Sequence, residues 1–385
     1  MLSSIALAEY DISFVKTSNP SNLGDLLQVH RADAVQKAVA KVRDRDVHAI
    51  PIPYFGGLAM LGGLTAGYLV ARELPFLSLS DEKIFRDAGV VLVAGGLICA
   101  VGVLDDLLEL DALTKFGGQL LAAGFLVFFD VQYYSFQLPG GGQIALDTTQ
   151  AALASVIVVV ATVNAVNVVD GLAGLAAGVV GIGAVAFFAF SYQLAEANGE
   201  TLAISAALLT AALGGATAGF LPHNFFPARI FMGDSGSMLI GLVLAGSALT
   251  LTGQFASVDL RQGAGGSEAS LLPTLLPIIL PIAILVVPFV DLVLAVVRRT
   301  RAGRSPFAPD KQHLHHRLLE IGHSHRRAVL IMWLWAGLIA FGGVLASLYS
   351  GRVTTLILVV WVLLTVALTF FVPRVHRKGT PAPGL

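Results

Sequence analysis

Charged residues are scarce in this sequence. Of its 385 residues, 13% are charged and 56% are hydrophobic, whereas a soluble globular chain has roughly 25% charged residues. The mean hydropathy is +0.79, and the apolar runs recur along the whole chain. A bilayer-spanning helix needs about 20 consecutive, mostly apolar residues. The composition therefore excludes an ordinary soluble domain and indicates a polytopic membrane protein.

Cysteine is also scarce, and neither sign of charge dominates. The single cysteine, Cys99, lies inside an apolar run, which excludes a disulfide scaffold. The 41 glycines and 16 prolines follow no triplet period, so a collagen-like chain is excluded. The formal net charge is −1, and no basic stripe alternates with aromatic residues. Nucleic acid is therefore not an expected partner.

Apolar segments predict an all-α fold with about ten transmembrane helices in the bilayer. A multi-span domain is expected over residues 41–373, followed by a cytoplasmic tail over 374–385. Residues 1–40 contain no long uncharged stretch, so we expect an interfacial helix or a disordered segment there. The predicted spans cover residues 54–72, 87–104, 116–131, 151–168, 172–194, 202–221, 236–252, 273–297, 328–349 and 354–373.

Basic residues are distributed unevenly between the two sets of connecting loops. Most of the 24 lysines and arginines lie in the tail and in the loops near 37–53, 105–115, 222–235 and 298–327. The positive-inside rule places this side of the membrane in the cytoplasm.

The first motif is a pair of adjacent carboxylates, Asp105 and Asp106, at the cytoplasmic end of an apolar segment, with Lys115 a few residues later. Adjacent carboxylates at a membrane boundary repel each other and resist desolvation unless a cation shares them. Mg²⁺ prefers carboxylate oxygens together with substrate phosphates. The alternative is a solvated acidic turn that ends a helix.

The second motif extends from Asn164 to Gly174 between two apolar segments. If it is helical, its spacing brings Asn164, Asn167 and Asp170 toward one face. Gly171 and Gly174 would let the backbone turn or approach a ligand closely. Amides can also join transmembrane helices without any catalytic role, but a carboxylate among them favours a functional site.

The third motif is the Gly-Asp-Ser-Gly-Ser sequence at 233–237, directly before an apolar helix and after Asn224. Backbone amides, hydroxyls and the Asp234 carboxylate at a helix N-terminus can hold a phosphate and its metal. An ordinary Asp or Ser helix cap would have the same sequence.

The fourth motif lies in the longest cytoplasmic loop and contains His313, His315, His316 and Arg317. These side chains could bind zinc, donate to phosphate oxygens or lie on a wet basic surface. Because no cysteine or HExxH pattern supports zinc, we interpret them as anion contacts or a proton-transfer group. All four motifs lie on the predicted cytoplasmic side and together provide the groups that phosphoryl transfer needs.

Together these motifs resemble the polyprenyl-phosphate N-acetylhexosamine-1-phosphate transferase family. The resemblance implies transfer of a sugar-1-phosphate from a UDP-sugar to a polyprenyl phosphate in a bacterial plasma membrane. It also implies release of UMP and a Mg²⁺ or Mn²⁺ cofactor. The active site is expected on cytoplasmic loops, and a homodimer is compatible with the resemblance. The matching pieces are Val47-His48 with Pro51 and Gly56-Gly57, Asp105-Asp106, residues 164–174, residues 231–237 and residues 313–318.

The histidine pattern at 313–318 is similar to the branch of the family that uses UDP-N-acetylglucosamine (UDP-GlcNAc). The resemblance then implies formation of polyprenyl-diphospho-GlcNAc, the first membrane step of a cell-envelope glycopolymer. The metal is expected on Asp234 and Asp106, and the catalytic residues are expected to be Asp105, Asp106, Asp170 and His315. Substrate contacts are expected from Lys115, Asn164, Asn167, Asn224, His313, His316 and Arg317.

Two departures from the family pattern keep alternatives open. Ala173 stands where the family usually has a second aspartate, and Tyr54-Phe55 stand where an arginine often precedes the paired glycines. The alternatives are a peptidoglycan-type phospho-MurNAc-pentapeptide transferase and a catalytically impaired form or scaffold of the same fold. A secondary transporter fits less well, because its polar groups would lie near the membrane midplane rather than at one face.

Overall fold

The computed structural model of this protein describes residues 52–78, 82–138, 142–198, 201–252, 300–301, 303, 324–349 and 351–370. Within these ranges the chain forms α-helices and one antiparallel hairpin. In chain order the elements are α1 Gly56–Glu73, α2 Pro75–Ser78, α3 Glu82–Leu108, α4 Ala112–Phe128, β1 Ser135–Leu138, β2 Gly142–Ala145, α5 Thr148–Val169, α6 Leu175–Asn198, α7 Thr201–Asn224, α8 Gly233–Thr252, α9 His325–Leu348 and α10 Arg352–Phe370.

The helices confirm an all-α polytopic membrane protein. Among the described residues, 7 helices are long and apolar enough to cross a bilayer, namely α3 and α5 to α10, and α4 is a shorter apolar helix. Every predicted span within the described residues coincides with a helix. The span predicted at 273–297 lies outside the described residues, as do residues 1–40, so the total of about ten spans stays a prediction.

Helix α8 is the centre of the bundle. Every residue from 235 to 251 is buried, and the helix packs against α1, α3, α5, α6 and α7. Glycines make this packing close: a Cβ at Gly241 would lie 2.9 Å from Val163 Cα, and one at Gly246 would lie 2.7 Å from Val91 Cγ1. Small residues let membrane helices approach one another in this way. Helix α10, by contrast, is exposed along most of its length.

The order of the connections brings three motifs to one end of the bundle. Helix α3 ends and α4 begins within residues 105–115, and the β1–β2 hairpin then reverses the chain at the opposite end. The turns at 170–174 and 225–232 consequently return to the same end as 105–115. Side-chain caps fix the starts of several helices, including Asp111, which accepts hydrogen bonds from the amides of Leu113 and Thr114 at 3.0 Å each, as N-cap aspartates do.

We predict that Gly246→Ala lowers the thermal unfolding midpoint of the detergent-purified protein. The new methyl would overlap Val91, and overpacking of this kind costs about 1–3 kcal/mol. The matched control is Gly96→Ala on α3, where a Cβ meets no heavy atom within 4 Å. The control should leave the midpoint unchanged or raise it, because Ala is favoured over Gly in helices. Equal midpoints for the two variants would contradict this packing.

Candidate active site

The N-terminus of α8 is capped by a carboxylate from another helix. Asp106, in the last turn of α3, accepts hydrogen bonds from the backbone amides of Asp234, at 2.8 Å to Oδ1, and Ser235, at 3.2 Å to Oδ2. The first amides of a helix have no partner within the helix, and a negative charge there is favourable. Both Asp106 oxygens therefore contact backbone and fix α3 against the start of α8.

Glycines allow this junction to form. Gly233 has φ +68, a left-handed conformation that favours glycine, and a Cβ there would lie 2.5 Å from Asp106 Oδ2. A Cβ at Gly102 would collide with the backbone of Ser235. Gly57 donates its amide hydrogen to the Met232 carbonyl at 3.2 Å. These close approaches explain why the motifs contain glycine.

Lys115 joins α3 to α8 through two carboxylates. Its Nζ lies 2.8 Å from Asp105 Oδ2 and also forms an ion pair with the Asp234 carboxylate. The other oxygen of Asp105 accepts the amide hydrogen of Leu110 at 2.9 Å. Lys115 is in the first turn of α4, so three helix ends meet at this cation.

Asp234 also receives a hydrogen bond from α5. Asn167 Nδ2 donates to Asp234 Oδ1 at 2.6 Å and to Ser237 Oγ at 2.9 Å. Each oxygen of Asp234 thus has a partner on a different neighbouring helix, Lys115 on α4 and Asn167 on α5. This carboxylate is the centre of the described site.

Asp170 follows directly after α5 and adds a fourth carboxyl group to the cluster of Asp105, Asp106 and Asp234. Desolvation raises the pKa of its carboxyl well above the ordinary value, and the nearby charges of Asp234 and Asp106 raise it further. These carboxyl groups therefore disfavour one another's ionised forms, and the Lys115 ammonium offsets only part of their charge. A divalent cation would relieve their repulsion.

The donor set suits a hard metal ion, although no ready-made cage is present. Within the described part of the chain, no three His, Cys, Asp or Glu side chains are arranged as a metal-binding group. The oxygens of Asp105 and Asp234 nevertheless lie close together, since both contact Lys115 Nζ. Mg²⁺ is typically held by one or two carboxylates together with substrate phosphates rather than by an all-protein cage, so these residues fit such an ion.

Two predicted substrate-binding asparagines are hydrogen-bonded within the protein. Asn164 Nδ2 donates to Gln119 Oε1 at 2.6 Å, which links α5 to α4. Asn224 accepts the amide hydrogen of Gly174 at 2.8 Å and donates to the carbonyl of Ile230 at 3.0 Å. Asn224 therefore ties the turn after Asp170 to the loop before Asp234. Substrate contact by either residue stays a prediction.

The remaining predicted residues are not among those that the structure describes. His313, His315, His316 and Arg317 lie outside the described residues, as do Val47, His48 and Pro51. Of the residues that are described, the structure brings together Asp105, Asp106, Lys115, Asn167, Asp170 and Asp234. These side chains lie at helix ends. Asp105 and Asp106 belong to the last turn of α3, because that helix continues past its apolar stretch.

Sequence reasoning missed two residues that support the site. Gln119 is buried and pairs with Asn164; its spacing of four residues from Lys115 is the signal that could have identified it. Trp333 on α9 donates its indole hydrogen to the Gly174 carbonyl at 3.2 Å, and its ring lies against Gly178. No local pattern in the sequence marks this tryptophan.

The fold and the site define a polytopic membrane protein with a carboxylate, amide and lysine cluster where helix ends meet, as expected for a phosphoryl-transfer enzyme. The sequence pattern of glycosyl transferase family 4 matches residues 88–252, which include every described residue of the cluster. The chain belongs to this family.

Full-length relatives agree with this assignment. The chain is 46% identical over 345 residues to decaprenyl-phosphate N-acetylglucosaminephosphotransferase of Mycolicibacterium smegmatis, covering 88% of this chain and 82% of the relative. It is 45% identical over 347 residues to the Mycobacterium leprae protein of the same name, covering 89% and 85%. It is 32% identical over 308 residues to the probable undecaprenyl-phosphate N-acetylglucosaminyl 1-phosphate transferase of Bacillus subtilis, covering 77% and 74%.

We predict that Lys115→Met lowers the thermal unfolding midpoint, because it leaves the adjacent Asp105 and Asp234 carboxylates without their cation. Breaking one partner of a desolvated ion pair is costly. The double variant Lys115→Met/Asp105→Asn should recover part of the loss, since it removes one of the two repelling charges. Additive losses in a double-mutant cycle of unfolding midpoints would contradict the Lys115–Asp105 pairing.

Proposed function

We propose that this protein transfers GlcNAc-1-phosphate from UDP-GlcNAc to polyprenyl phosphate, giving polyprenyl-diphospho-GlcNAc and UMP. The observation that carries the proposal is the match to the mycobacterial relatives, which extends over more than four fifths of both chains. The matched region contains the Asp105, Lys115 and Asp234 cluster.

The chemistry follows from the groups at the helix ends. Lys115 brings positive charge to the place where phosphate oxygens would bind, and charge-assisted hydrogen bonds of this kind are strong. Asp105 is the carboxylate we assign to orient or deprotonate the polyprenyl phosphate, because one of its oxygens lies 2.8 Å from the Lys115 ammonium, whereas both oxygens of Asp106 accept backbone amides. Asn167 holds Asp234 in place. Positioning and electrostatic stabilisation supply most of the rate enhancement in phosphoryl transfer.

Mg²⁺, or Mn²⁺ in its place, would be held by Asp234 with Asp105, Asp106 or Asp170, and when bound it neutralises charge on the diphosphate. The apolar lipid needs access from the bilayer. A small cavity beside Asp106 is lined otherwise by Tyr54, Phe55, Val103 and Leu107. We propose that the lipid phosphate approaches Asp105 and Asp106 along this side.

We also propose a location and a membrane side for the site. The site is assigned to the cytoplasmic face of a bacterial plasma membrane, because the loops at that end carry most of the basic residues. UDP-GlcNAc would reach it from the cytoplasm and polyprenyl phosphate from the bilayer. A homodimer remains a prediction from the family resemblance.

The unmodified chain is predicted to be active, even though it has Ala173 in the turn between α5 and α6. Purified protein with polyprenyl phosphate and Mg²⁺ should release UMP from UDP-GlcNAc and not from UDP-MurNAc-pentapeptide. The matched variant is Ala173→Asp. UMP release by the variant but not by the unmodified chain would show an impaired enzyme. Preference for UDP-MurNAc-pentapeptide would contradict the assignment of GlcNAc as the sugar.

Asp234→Asn is predicted to lower kcat by about 10²–10³-fold, as loss of one preorganised electrostatic group does. The variant keeps a side chain of the same shape but loses the charge that Lys115 contacts. Asp130→Asn is the control, because Asp130 is an exposed aspartate at the opposite end with φ 65, a conformation that asparagine also adopts. UMP release by Asp234→Asn at the rate of the control would rule out Asp234 as the centre of the site.

A further inference from the structure

A second polar layer lies beneath the catalytic cluster, deeper in the bundle. Gln119 on α4 and Asn164 on α5 exchange hydrogen bonds: Gln119 Nε2 donates to Asn164 Oδ1 at 3.3 Å, and Asn164 Nδ2 donates to Gln119 Oε1 at 2.6 Å. Gln119 Nε2 also contacts Met238 Sδ on α8 at 3.7 Å. The layer therefore joins three of the four helices that carry the catalytic cluster, namely α4, α5 and α8.

The two layers are in register along all three helices. Gln119 follows Lys115 by four residues, and Met238 follows Asp234 by four. Asn164 precedes Asn167 by three residues, because α5 runs in the opposite direction. At 1.5 Å of rise per residue, the layers are about one helical turn apart. The amide pair thus lies directly under the side chains that hold Asp234.

Among the buried residues of α4, Gln119 alone has a hydrogen-bonding side chain. The others are Gly118, Ala122, Ala123 and Leu126. Because Gln119 is buried, a displacement of α4 that separates it from Asn164 would leave its amide without this partner. This constraint is strong at membrane depth, where water is not present to replace a lost partner.

We propose that Gln119 is a positioning residue, which sets the position of Lys115 against Asp234 and Asn167 through its reciprocal amide pair with Asn164. The inference rests on the proposed function, because the effect of Gln119 is measured as a change in kcat for that reaction. A misplacement of about 1 Å at a reacting centre can lower the rate by about 10²-fold. Gln119 itself does not touch substrate.

A reciprocal swap tests the pair. Gln119→Asn shortens one side chain and Asn164→Gln lengthens the other, so each single variant should lose the bonded geometry and lower kcat at least tenfold, with little change in KM for UDP-GlcNAc. The double variant Gln119→Asn/Asn164→Gln keeps the summed length of the two side chains and should raise kcat at least threefold above either single variant.

Ser247→Ala is the matched control. Ser247 is a buried polar residue deeper in α8, and its hydroxyl bonds to Val243 of its own helix at 2.7 Å. Its removal should leave kcat unchanged. Single swap variants with unchanged kcat, or a folded double swap without rescue, would overturn the inference.

A second double variant keeps the test decisive if the swap variants do not fold. Gln119→Met/Asn164→Leu replaces both amides by apolar groups of similar size, which is nearly neutral for folding because no polar group is left unpaired. This variant should unfold at a temperature near that of the unmodified protein and yet have lower kcat. Full activity here would overturn the positioning role, whereas inactivity of the unmodified protein would overturn the proposed function instead.

Discussion

The site depends on one contact, the Asp106 carboxylate at the first amides of α8. This contact joins the end of α3 to the start of the most buried helix in the described bundle. With that junction fixed, Asp234 projects from the first turn of α8 toward α4 and α5. Lys115 and Asn167 then reach its two oxygens. The geometry of the cluster therefore follows from where the ends of α3, α4, α5 and α8 meet.

Close packing and charge placement support each other in this arrangement. Gly57, Gly102 and Gly233 leave room for backbones to approach around the α8 N-terminus, and the amides brought together there balance part of the carboxylate charge. A carboxylate cluster at a membrane boundary is unfavourable unless cations and amide hydrogens share it. Repulsion among the carboxylates destabilises the cluster unless cations offset it. The same excess of negative charge suits the cluster to bind phosphates that carry a divalent ion.

Much of this could be predicted from the sequence, because hydropathy and basic loops determine which ends of the helices share a membrane face. That rule places Asp105, Asp106, Asn167 and Asp234 at the same membrane face. The cap that Asp106 makes could not be predicted, since the helix end that a carboxylate meets depends on tertiary packing. For the same reason, the hydrogen bonds of Asn224 to Gly174 and Ile230 could not be predicted, and its contact with substrate stays a prediction.

Transfer of a whole sugar-1-phosphate by the cluster at these helix ends is tested most directly with UDP-GlcNAc labelled in the phosphate next to the sugar. The purified protein is given this labelled substrate together with polyprenyl phosphate and Mg²⁺. The label should move to the lipid while unlabelled UMP is released. Label that stays on UDP while the sugar alone moves would contradict this transfer, as would the absence of any labelled lipid.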